Sequence, residues 1–167
     1  GLAADSPLPT SLDGSMVWFG GALAPVYYVS PTQINVQVPA GLSTGPVTVK
    51  VTTARGDSNT VTATIGQPTP AFFSYNVGGT AFAAAVHLSG KLVGDPAVVS
   101  SAELAHPGEI ISLYASGLAA SAAGKTIATQ VFDQPVQVTA GSVPLKVLGA
   151  ALVSAGEYQI NVELPDR

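Results

Sequence analysis

The pattern Gly41-Leu42-Ser43-Thr44-Gly45 has the spacing of a hydrolase nucleophile elbow, in which a strained strand-to-helix turn exposes a serine. His87 and His106 are the bases on offer, with Asp57 or Asp95 to orient them. An elbow needs a helix after the serine. Here Pro46 and an alternating apolar–polar run follow, so the pattern reads as a plain loop. Gly124-Lys125-Thr126 has the ending of a phosphate-binding loop, but Ala119 stands where the first glycine belongs. Ile127 to Phe132 then reads as extended, without the helix N-terminus that aims amides at phosphate. Asp57, Ser58 and Asn59 could set oxygens around calcium, yet one acidic side chain makes a weak site and an Asx-type turn is expected. Two histidines and no cysteine give no zinc set. Glu157 and Glu163 are six residues apart, about 20 Å along a strand, too far for paired acid–base work. No catalytic, cofactor or metal site emerges, and a non-enzymatic protein is expected.

Aromatic residues offer a different chemistry. Trp18 with Tyr27 or Tyr28 could form a stacking platform for sugar, which leaves polysaccharide as a ligand class. Neighbouring strand residues face opposite ways, so at least one of each adjacent aromatic pair is expected in a core. Nucleic acid is excluded by charge: net charge is -4, and the six basic residues are scattered, none before Lys50. No apolar run approaches the roughly 18 residues that span a membrane, so membrane insertion is not expected. The opening residues show no secretory leader, so an exported form is expected to be the mature or trimmed one. Without cysteine, a disulfide-stapled mini-fold is excluded.

The elements that must carry these residues are strands. Charged residues are only 10% of the chain, well below the roughly 25% of an average soluble domain. Eighteen glycines and thirteen prolines favour turns over helices. Ile34, Val36 and Val38 alternate with Gln33, Asn35 and Gln37, and Val47, Val49 and Val51 with Thr48, Lys50 and Thr52. Thr60 to Ile65 and Pro135 to Thr139 follow the same period of two, which marks half-buried strands. Ala81 to Val86 is alanine-rich but lies between Gly78-Gly79 and Ser89-Gly90, so a hairpin arm or extended connector fits better than a helix.

One phrase occurs twice. Gln33-Ile34-Asn35-Val36-Gln37-Val38-Pro39 returns as Gln159-Ile160-Asn161-Val162-Glu163-Leu164-Pro165, and Gly1-Leu2-Ala3 matches Gly117-Leu118-Ala119. Gly21 to Pro25 also matches Gly141 to Pro144. The chain therefore holds two copies of one structural unit. The predicted fold is all-β: two Ig-like β-sandwich units joined by an extended or hairpin segment. Unit one is placed at 1–67, the connector or β-hairpin arm at 68–106, and unit two at 107–167. Gln33, Asn35, Gln159 and Asn161 are expected either to face solvent or to cap a neighbouring edge.

Tyr28-Val29-Ser30-Pro31-Thr32-Gln33 running on to Pro39, Pro70-Ala71-Phe72-Phe73, Pro107 to Leu118 and Gly156 to Val162 together resemble a paired Ig-like module. That module closes large secreted proteins, many from acidobacteria. Each unit is also similar to the IPT/TIG type of Ig-like domain, with Gly56-Asp57-Ser58-Asn59 as a typical late turn. The resemblance implies a fold and an extracellular or cell-surface setting, but no activity.

Alignment of the repeats shows a mismatch. Unit two opens with a strand at Glu109 to Ser116 that unit one lacks, and unit one closes with Pro46 to Thr53 and Thr60 to Ile65, which unit two lacks. A missing strand leaves unpaired backbone groups and an uncovered strip of core. Three readings are open: domains of a parent protein supply the strands, other copies do so head to tail as in donor-strand assembly, or the sandwich tolerates fewer strands. The expected function is a non-enzymatic extracellular structural module, a fibre or surface-stalk subunit joined by strand complementation. The alternative is a spacer or carbohydrate- or adhesion-binding module of a larger secreted protein.

Overall fold

The computed structural model describes residues 7–120, 123–128, 132 and 135–166. Among them every regular element is a strand, so the protein is all-β. The chain divides into two compact units, residues 1–68 with 120–128, and residues 69–119 with 129–167.

Unit one runs β1 (Met16–Phe19), β2 (Ala22–Leu23), β3 (Val26–Val29), β4 (Ile34–Val36), β5 (Gly45–Thr53), β6 (Gly56–Asp57) and β7 (Val61–Ile65). One sheet is built on β5, which β1 flanks on one side and β6 and β7 on the other. A second, two-stranded sheet is the β3–β4 hairpin. The period of two seen in the sequence becomes a face. Val47, Val49, Val51 and Ile65 turn inward with Ile34 and Val36 onto buried Val17, Phe19 and Ala24. Thr48, Thr62 and Thr64 stay exposed.

Unit two runs β8 (Ala71–Phe72), β9 (Ser74–Val77), β10 (Thr80–Ala83), β11 (Ala85–His87), β12 (Leu92–Val93), β13 (Ala102–Glu103), β14 (Ile110–Ser116), β15 (Val138–Ala140), β16 (Val143–Ser154) and β17 (Glu157–Glu163). Its main sheet has the order β13-β12-β11-β14-β17-β16-β15, with β8 also on β14. The core gathers Ala85, Ile111, Leu113, Ala115, Val138, Ile160 and Val162.

The stretch expected as a connector, 68–106, supplies six strands, of which β8 and β11 pair directly with β14. Its alanine-rich part divides: residues 81–83 lie in β10, which forms a hairpin with β9 through Gly78-Gly79, where Tyr75 stacks on Phe82 with ring centroids 5.5 Å apart, while Ala85 and Val86 pair with β14. Residues 120–128 follow the second Gly-Leu-Ala yet are grouped with unit one. There Leu8 N–H donates to the Gly124 carbonyl at 2.7 Å.

The two copies of the repeated phrase form the same hairpin. In unit one Val29 faces Ile34, Tyr28 faces Asn35 and Val26 faces Val36. In unit two Ala150 faces Ile160, Gly149 faces Asn161 and Val147 faces Val162. Each skips one residue at the same place, so Tyr27 and Leu148 are matching β-bulges.

Candidate functional site

Two regions gather polar chemistry or open surface: a clamp around His87, and the edges of the repeated hairpins. The clamp belongs to unit two. His87, 6% exposed at the end of β11, holds Glu109 Oε1 through Nδ1 at 2.5 Å, and its Nε2 lies 3.2 Å from the Glu103 carbonyl. The other Glu109 oxygen accepts the His106 N–H at 3.0 Å, and Lys91 pairs with Glu103. The hydrogen bond that His87 donates to Glu109 raises the His87 pKa above its ordinary value and lowers that of Glu109. Lys91 lowers Glu103 in the same way. Every ring and carboxylate atom of the clamp that points inward is already satisfied, so it ties β11, β13 and the turn before β14 together. It is a fastening between strands.

The other sequence candidates are spent on structure. Ser43 is exposed in the turn that leads into β5, and a strand follows it, as the sequence implied. Gly124 sits at φ +70°, its N–H given to Gln37 Oε1 at 2.5 Å, while Gln37 Nε2 donates to the Lys125 carbonyl at 3.2 Å. Asp57 accepts from Lys50 Nζ and from Thr52 Oγ1, both at 2.6 Å, which lowers its pKa and uses both oxygens. Among the described residues no group of three His, Cys, Asp or Glu could hold a metal. Glu163 pairs with Lys146 at 2.7 Å.

The aromatic expectation needs correction. Phe19 is buried and Trp18 half-buried, its Nε1 donating to Thr52 Oγ1 at 3.1 Å. Tyr27 and Tyr28, however, are both about half exposed, at 48% and 47%. The bulge at Tyr27 breaks the alternation that would have buried one of them. Phe72 and Phe73 are also both exposed, at 45% and 44%. Phe72 lines an apolar trough of about 310 Å³ with Leu118, Phe132, Val136, Val138 and Ile160.

The amide pairs fall into two different settings. On β17, Gln159 Nε2 donates to Asn161 Oδ1 at 2.9 Å and to Ser112 Oγ at 3.2 Å, and Ser112 Oγ donates to Asn161 Oδ1 at 2.9 Å. Ser112 stands on β14, directly opposite Asn161, so this pair neither faces open solvent nor caps an edge but bridges two interior strands. On β4, Gln33 Nε2 donates to Asn35 Oδ1 at 2.6 Å, but both residues are exposed. Among the described residues β4 pairs only with β3. The same ladder thus has its third member in one repeat and an open edge in the other. Nothing local in the sequence signals this; only the presence of β14 in one unit does.

Sheets of this kind, packed on an alternating core in two repeated units, define an all-β protein of the Ig-like sandwich class. Residues 6–78 match the family model of the IPT/TIG domain, so that part of the chain is similar to this Ig-like module. The family is non-enzymatic, and its domains generally occur within larger proteins. No curated protein and no solved structure matches the chain.

Proposed function

We propose that the chain is a non-enzymatic structural module of an extracellular or cell-surface protein, and that its open sheet edges pair with strands of its neighbours. The observation that carries this reading is the β4 edge. Over Ile34–Val36 it repeats the register and bulge of β17, with the same Gln-to-Asn hydrogen bond, and among the described residues no strand lies where β14 lies beside β17. Backbone groups along such an edge gain hydrogen bonds from any strand that pairs there. Low charge supports the same reading, since few ions need desolvation when such faces meet. The similarity of residues 6–78 to IPT/TIG modules supports the non-enzymatic part and the extracellular setting. No helix among the described residues is long and apolar enough to cross a membrane.

Sedimentation velocity of the purified chain over a hundredfold concentration range, with negative-stain microscopy of the same samples, tests this. Association that grows with concentration and yields filaments or strings of particles is the expected result. A monomer at every concentration overturns assembly by the chain alone. A second reading, a carbohydrate-binding spacer, is favoured by the exposed Tyr27 and Tyr28 alone. Affinity electrophoresis in polysaccharide gels separates the two: retardation lost in Tyr28→Ala would support it.

A further inference from the structure

We propose that the strand received by β4 is β7 of a second copy, seated antiparallel so that Thr64 stands opposite Asn35. This rests on the strand-pairing reading above and names the partner for it.

What β4 needs is read from its twin. On β17 the triplet Val162, Asn161, Ile160 faces Ile111, Ser112, Leu113, two buried aliphatics around one hydroxyl. The hydroxyl closes the Gln–Asn ladder, and the aliphatics cover the core side. An occupant of β4 must therefore read aliphatic–hydroxyl–aliphatic, with the hydroxyl on the face opposite the aliphatics as Ser112 is, and must bring a free edge of its own.

Few described strands qualify. Ile111-Ser112-Leu113 in β14 and Val47-Thr48-Val49 in β5 have the pattern, but both strands have neighbours on each side. Val138-Thr139-Ala140 in β15 has a free edge, but Ala140 is exposed and the turn at Gly141 ends the strand at once. β7 satisfies every requirement. It pairs only with β5, Ala63 and Ile65 turn inward, and Thr62 and Thr64 are exposed. Seating Ala63 opposite Val36, Thr64 opposite Asn35 and Ile65 opposite Ile34 copies the β14–β17 arrangement residue for residue.

The edge also lacks what edges use to refuse a partner. Residues 60–66 contain no charge and no proline, and neither do residues 34–36. Pairing the two desolvates no ion. Because β4 and β7 are different strands, a joined pair keeps one free β4 and one free β7, so the contact is head-to-tail and propagates.

The chain has no cysteine, so single cysteines report the contact cleanly. Asn35→Cys chain is mixed with an equal amount of Thr64→Cys chain and oxidised at the concentration where the unsubstituted chain associates. The expected result is a mixed disulfide dimer forming several-fold faster than the Asn35→Cys homodimer, and faster than with Thr62→Cys or Thr139→Cys. All four positions are exposed, so the folds should persist, which circular dichroism of each variant checks. Equal trapping at positions 62 and 64 overturns the register, and preference for Thr139→Cys overturns β7 as the occupant. Association without any mixed trapping overturns this proposal and leaves strand pairing standing elsewhere. No association at the highest attainable concentration overturns both.

Discussion

The hairpins β3–β4 and β16–β17 share one paired stretch around one bulge; beyond it β3–β4 closes at once through residues 30–33, whereas β16–β17 runs on to a turn at Ala155-Gly156. Both have the same facing pairs, the same one-residue bulge and the same Gln-to-Asn hydrogen bond. Yet Ile160 and Val162 are only 2% and 0% exposed, while Ile34 and Val36 are half-buried and Asn35 is exposed. The cause is β14, present beside β17 and absent beside β4. The opposite holds one strand further on: β1 has β5 beside it, while β15 has only β16. A repeat can therefore keep its local geometry without its neighbours, because register and bulge are set within the hairpin. Burial is not local; it is set by the strand alongside.

The sharpest way to break the comparison is to truncate the matching isoleucines. Ile160→Ala empties a closed core site and should cost about 3 kcal/mol, whereas Ile34→Ala removes a side chain already half in water and should cost about 1 kcal/mol. Trp18 is the only tryptophan, so its fluorescence follows unit one while far-ultraviolet dichroism follows both during urea unfolding. Equal losses would mean that β4 is covered as well as β17 is.

Next in size is the amide ladder. Ser112→Ala strips a part-buried partner from Asn161 and Gln159 and should cost about 1–2 kcal/mol. Asn35→Ala, in the exposed copy, should change stability by less than about 0.5 kcal/mol in the isolated monomer. Should Asn35→Ala instead weaken association, the ladder's open end is where a partner sits.

How far this could be seen in advance depends on range. Alternation at Val47, Val49 and Val51 told which side chains turn inward, because the period of two is a property of one strand. Repetition of the Gln-Ile-Asn-Val phrase told that two hairpins would match. Neither says which strand lies beside which. The pairing of β11 and β8 with β14 and the placement of residues 120–128 in unit one depend on contacts distant in sequence, and no local signal carries them. Tyr27 and Tyr28 defeated the alternation rule for a local reason, a bulge that needs no glycine and so leaves no mark. The His87–Glu109 clamp was also hidden, since the two residues lie 22 apart.

That clamp gives the units different responses to pH. His87 has a raised pKa, so its stabilising effect is complete below the ordinary 6.5 and is lost as pH rises through the raised value. Glu109 has a lowered pKa, so its effect is complete above the ordinary 4.5 and is lost as pH falls through the lowered value. Unit two should be most stable between about pH 4.5 and 6.5. In unit one the exposed Lys50–Asp57 pair lowers the Asp57 carboxylate, which matters below that window. Thermal melts from pH 5 to 9 should show unit two weakening while the Trp18 signal holds. His87→Gln should remove that slope; a slope unchanged in the variant would place the titrating group elsewhere.

The smallest effect concerns the other end of the hairpins, where unit one has β5 and, among the described residues, unit two has no matching strand. Gly20 and Gly141 occupy the same place in the turns of β1–β2 and β15–β16, with φ of +57° and +61°. Alanine in either turn meets the same left-handed backbone penalty, about 1 kcal/mol. At Gly141 the added methyl meets nothing within 4 Å. At Gly20 it would lie 3.0 Å from Val47 Cγ2, a side chain of β5. Gly20→Ala should therefore cost more than Gly141→Ala by an increment of about 0.5–1 kcal/mol, the crowding against Val47. Replacing Val47 with alanine in the Gly20→Ala background should erase that increment. Should Gly141→Ala prove as costly in assembled material as Gly20→Ala, a strand must lie over β15 in the assembly as β5 lies over β1.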